Sequence, residues 1–91
     1  MRLETDRIAH LLSELEIADP KFRLHMLRQA VMQNGGRWDL PSEKPGVYEP
    51  AIKEIMVYGL FAAAENIEEL PMNWMRAARN ILKANEDVEA A

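Results

Sequence analysis

The chain contains no cysteine. Disulfides, thiolate metal sites, thiol nucleophiles and cysteine-held haem or iron–sulfur clusters are therefore excluded. There is no apolar run of ~18 residues, so no membrane-spanning helix is expected. The first twenty residues carry seven charges and no apolar stretch of signal-peptide type, so no secretory leader is expected either. Together these absences point to a cytoplasmic protein. Aromatic residues make up only 7%, so the core must be mainly aliphatic. The net charge of −4 is too small to select a partner by its sign.

What is present is an ordinary globular balance over 91 residues, 48% apolar and 29% charged. That is enough for one domain, residues 1–91, burying roughly 60–65% of its unfolded surface. Prolines and glycines cut the chain into four apolar-periodic segments and one long connection.

From Asp6 to Ile17, Ile8, Leu11, Leu12 and Leu15 fall at i, i+3, i+4 and i+7, the stripe of an amphipathic helix. Thr5 or Asp6 suits its start. Asp19-Pro20 then offers an N-cap followed by proline at the first helical position. It opens a second helix bearing Phe22, Leu24, Met26, Leu27, Ala30 and Val31, with Gly35 as its stop. Residues 34–50, NGGRWDLPSEKPGVYEP, hold too many breakers for a helix. They read as a long ordered loop docked by Trp38 and Tyr48. The segment 50–66 is apolar nearly all round when plotted at 100° per residue, which predicts a buried third helix. Its narrow polar edge is Glu54-Tyr58-Phe61-Glu65. A fourth helix, 71–85, would place Trp74, Met75, Ala78, Ile81 and Leu82 on one side and Arg76, Arg79 and Lys83 on the other. Residues 86–91 read as a frayed acidic tail.

The expected fold is thus all-α, a compact four-helix domain. The alternative is α+β, with residues 52–61 as a strand and part of the loop paired to it, because Ile52, Ile55, Val57, Tyr58 and Phe61 favour strands.

Charge is segregated along the chain. Residues 1–19 hold two bases and five acids, whereas 20–37 hold four bases and no acid. Residues 71–85 hold three bases and no acid, and the last six residues hold three acids and no base. A basic helix could meet an acidic protein or a phosphate backbone. Packing between elements of opposite sign, together with ordinary solvated faces, is the first explanation of the segregation.

No catalytic constellation stands out. Ser13 lies three residues from His10, but no third orienting group follows. Asp6, His10 and Glu14 make an i, i+4, i+8 row that one helix alone seldom turns into a metal site. Asp39, Glu43 and Glu49 share a loop with no fixed spacing. Asn34-Gly35-Gly36-Arg37 lacks the spacing and the Lys-Ser/Thr ending of a phosphate loop. No enzyme activity, metal or cofactor is expected.

The functional expectation is a non-enzymatic protein–protein interaction module. It would form a homodimer through helix 3, with Tyr58 and Phe61 as anchors and Glu54 and Glu65 as rim, and would also bind another protein. The alternatives are a small DNA-binding regulator using basic helix 2 or the stripe Arg76, Arg79 and Lys83, and a phage-type inhibitor of a host protein. Helices 1 and 2 share a tight joint, and Arg28, Gln29, Gln33 and Asn34 can bond base edges. Met32 lies off the apolar face of helix 2 and is the methionine best placed for an exposed contact.

Overall fold

The computed structural model describes residues 4–39 and 52–90, of which 39 and 86–90 are described by their backbone only. The chain is α+β, not an all-α helical bundle. Helix α1 (Thr5–Ile17) and helix α2 (Pro20–Asn34) are followed by strands β1 (Gly36–Asp39), β2 (Lys53–Val57) and β3 (Leu60–Ala64). A 3₁₀ turn (Ile67–Glu69) then leads into helix α3 (Leu70–Ala90). The strands form an antiparallel sheet in the order β1-β2-β3.

The expected third helix does not form. Its place is taken by β2, a two-residue turn and β3. Its apolar character all round came from the alternation of two strands superimposed on a helical plot. Ile55 and Val57 of β2 and Ala62 and Ala64 of β3 are buried, and the register pairs Ile55 with Ala62. The residues between them point to the other face. Tyr58 and Gly59 both have positive φ, +54° and +81°. That combination marks a type I′ turn, whose twist matches the flanking strands. A single strand over 52–61 is therefore also wrong, because the turn interrupts it. Part of the expected loop does pair with β2: Trp38 of β1 lies opposite Ile55.

The helices form largely as read. Asp19 caps α2 through the Lys21 N–H, with Pro20 at the helix start. By contrast, neither Thr5 nor Asp6 caps α1; Glu4 stands at the cap position with no side-chain bond. Helix α3 extends to Ala90, so its backbone stays helical through the stretch 86–90 expected to fray.

One core joins everything. Ile8, Leu11, Leu12 and Leu15 of α1 meet Leu27, Ala30 and Val31 of α2. The inner sheet face and Leu70, Trp74, Met75 and Ala78 of α3 complete it. Trp74 is fully buried, and its indole Nε1 has no hydrogen-bond partner among the described residues. Gly36 is needed where β1 begins. Its φ is +140°, and a Cβ there would collide with the Met56 carbonyl oxygen.

Candidate functional site

The expected patch of Tyr58, Phe61, Glu54 and Glu65 is only partly assembled. Strand parity puts Glu54 and Met56 of β2 and Phe61 of β3 on the sheet face opposite the buried Ile55 and Val57. Arg37 enters this face from β1, directly opposite Met56; Ile52 immediately precedes β2 and Glu65 immediately follows β3. Phe61, paired with Met56 across the strands, is 49% exposed, and Ile52 is 53% exposed. An Arg37 guanidinium nitrogen stands 3.9 Å from a Glu54 carboxylate oxygen. The core-facing side chains of all three helices meet the inner face, so the outer face presents an apolar centre with charges of both signs around it.

Tyr58 is not part of this face. Its phenol oxygen accepts from Asn34 Nδ2 at 3.2 Å, and Arg7 lies over its ring at 5.9 Å from the centroid. Its carbonyl accepts from the Glu4 N–H. Tyr58 therefore ties the hairpin turn to α1 and α2, a structural task rather than the anchoring contact expected of it. Trp38 belongs to β1 and packs half-buried against the core. Tyr48, the other loop contact, lies outside the described residues.

A second surface lies on α2. At 100° per residue, Phe22, His25, Gln29 and Met32 form one row at i, i+3, i+7 and i+10. All four are exposed, Met32 at 65%. Lys21 and Arg28, also exposed, flank the row on one side. Phe22 was expected in the core stripe, but it sits about 80° of azimuth from Ala30 at the stripe's edge and turns outward. Arg23 does not join this face. Its Nε donates to the Leu15 carbonyl at 2.8 Å, and one terminal nitrogen approaches Met72 Sδ at 3.8 Å.

The basic stripe of α3 is exposed at Arg76, Arg79 and Lys83, but Arg79 stands 3.9 Å from Glu16 of α1. Part of the segregated charge is thus used between neighbouring helices.

Of the residues weighed for chemistry, Ser13, His10 and Glu14 make bonds within α1, while Glu43 and Glu49 lie outside the described residues. Ser13 Oγ donates to the His10 backbone carbonyl, one helical turn back, instead of to an imidazole. His10 pairs with Glu14 within α1. Among the described residues no group of three or more His, Asp or Glu stands close enough to hold a metal ion. No described helix is long and apolar enough to cross a membrane.

The sequence plot missed Arg37 and Met56 as partners of Phe61. The signal was there in the period-2 spacing of 54 and 56 and of 61 and 63, which a helical plot hides. No family model, curated protein or solved structure matches the chain.

Proposed function

We propose that the chain is a non-enzymatic protein–protein interaction module that pairs with a second copy of itself through the outer face of its sheet. The observation carrying this reading is exposed Phe61, paired across the strands with the part-buried Met56 and accompanied by exposed Ile52 just before β2, on a sheet whose other face is already core. Exposed apolar groups grouped on one surface, with charges around them, have the anatomy of an interface.

The charges favour a second copy as the occupant. Arg37 lies on β1 and Glu54 on the central strand, at neighbouring positions of one face. An in-plane two-fold axis midway between them sets each Arg37 over the partner's Glu54. With ideal strand spacings, the same axis stacks Met56 and Phe61 close to their own copies. Self-complementarity of this kind is what a two-fold interface requires.

Size sets the strength. Three strands ~4.8 Å apart and about five residues long cover about 250 Å² of projected area. A standard stable interface buries about 800 Å² per partner. The dimer therefore belongs with the small, weak and transient interfaces.

Sedimentation from about 10 μM to about 1 mM tests it. The expected result is a concentration-dependent shift toward dimer that Phe61→Arg abolishes while circular dichroism stays native. A chain that remains monomeric throughout, or a Phe61→Arg variant that still dimerises, overturns the reading.

A further inference from the structure

We propose that the solvent face of α2 is a second docking surface, and that its occupant is an acidic amphipathic segment of another protein. This surface shares no residue with the sheet face, so it stands or falls independently.

The apolar anchors come first. Phe22 and Met32 are two large side chains left exposed at opposite ends of one helical row, with His25 and Gln29 between them. Ten residues at 1.5 Å rise separate them by about 15 Å. A partner helix presenting apolar groups at a similar interval can cover both, the groove-and-stripe mode of helix recognition. Unbranched Met32 can repack against differently shaped partners. Ile17, 88% exposed at the end of α1, lies just before the joint that leads into α2 and extends the apolar character toward the Phe22 end.

Charge selects the partner. Between Pro20 and Trp38 the chain has no carboxylate. The nearest one in sequence, Asp19, accepts from the Lys21 N–H at the start of the helix. Lys21 and Arg28 line the row on one side, and from Lys21 to Asn34 α2 itself contributes no acid to offset them. Asp or Glu beside the partner's apolar residues would satisfy that edge, and Lys or Arg would be repelled.

A phosphate backbone also carries negative charge, but the number of cations tells against it. Arg23 is committed to the Leu15 carbonyl and Arg79 stands beside Glu16. Lys21 and Arg28 are the cations that α2's outer face itself supplies. Two phosphate contacts give a salt slope of about −2, against the six to ten contacts of a well-anchored duplex binder. The net charge of −4 opposes the approach of a polyanion as well. Phe22 and Met32 would also gain little from phosphates.

The test is selection from a displayed random library of peptides about 16 residues long, enough for four helical turns. The full chain is the bait, and bound peptides are mapped by amide chemical shifts. The expected winners are rich in Asp and Glu with spaced apolar residues, and they perturb residues 21–33. Their affinity falls by about tenfold or more in a Lys21→Glu, Arg28→Glu double variant, which selects basic peptides instead. Circular dichroism confirms that this variant stays folded. Phe61→Arg leaves the selection unchanged, which separates this surface from the self-association face. Absence of enrichment, winners without acidic excess, or shifts mapped elsewhere overturn the proposal. So does tighter binding of a DNA duplex that the same charge reversal abolishes.

Discussion

Asn34 donates its side-chain amide to the Tyr58 phenol oxygen at 3.2 Å, joining the last residue of α2 to the first residue of the β2–β3 turn. The same amide nitrogen also donates to the Ala30 carbonyl, and its oxygen accepts from Arg7 at 3.1 Å. A short exposed network thus holds a tyrosine at φ +54°, a conformation that bulky residues rarely adopt. Tyr58→Phe should cost about 0.5–1 kcal/mol, the lower range for an exposed neutral hydrogen bond. Asn34→Ala should cost about 1–2 kcal/mol, because three bonds go together. A double-mutant cycle by urea unfolding should give a coupling of about 0.5 kcal/mol or more; additive single effects would show that the bond contributes nothing.

Two adjacent glycines should both resist substitution, Gly36 the more strongly. Gly35 ends α2 at φ +81° and ψ 166° with open space where a Cβ would sit. That backbone region is essentially glycine's own and lies outside the left-handed helical well that Asn tolerates, so Gly35→Asn should cost about 1–2 kcal/mol through strain alone. At Gly36 the backbone is at φ +140° and a Cβ runs into the Met56 carbonyl. Gly36→Ala should therefore cost about 2–4 kcal/mol through strain and loss of the β1–β2 pairing. Thermal unfolding of the two variants side by side gives the order, and equal shifts would refute it.

Trp74 is fully buried, with an indole N–H that finds no acceptor among the described residues. Trp74→Ala should cost about 3–5 kcal/mol, as for other buried large aromatics. Trp74→Phe should cost clearly less, because it keeps most of the packing and removes that donor. Trp38 is only half-buried. In single-tryptophan variants, acrylamide should quench Trp38 more strongly than Trp74; the reverse order would place the core elsewhere.

The legibility of this fold followed its periodicities. Helices α1 and α2 could be read because Ile8, Leu11, Leu12 and Leu15 repeat at helical spacing and Asp19-Pro20 marks a start. Residues 53–64 could not, because each strand is five residues long, too short for a period of two to stand out against a helical plot of the whole segment. The turn signal was muted as well, since Tyr58-Gly59 replaces the usual Asn-Gly or Asp-Gly pair. Phe61 and Glu54 stand together on a helical plot for the wrong geometric reason, yet they do share one face. Parity on adjacent strands brought them together, while Tyr58 was diverted by Asn34, a contact 24 residues away that no local pattern encodes.

Arg23 separates the structural cations of α2 from those free to meet a partner. Its Nε reaches the Leu15 carbonyl at 2.8 Å in a half-buried setting. That carbonyl lies in the last turn of α1, where acceptors lack an intrahelical donor. Removing the guanidinium strands this acceptor and opens space beside Met72. Arg23→Ala should therefore cost about 1–2 kcal/mol, in the range for a charge-assisted bond to a part-buried acceptor. Arg23→Lys should recover little of it, because a lysine lacks the planar fork that reaches both partners. Lys21→Ala and Arg28→Ala, fully on the solvent side, should stay within about 0.5 kcal/mol of the parent. Urea unfolding with unchanged m values would confirm that these are native-state effects. If all three alanine variants were equally mild, Arg23 would belong with the surface cations, and the positive edge offered by α2 would be wider than Lys21 and Arg28 alone.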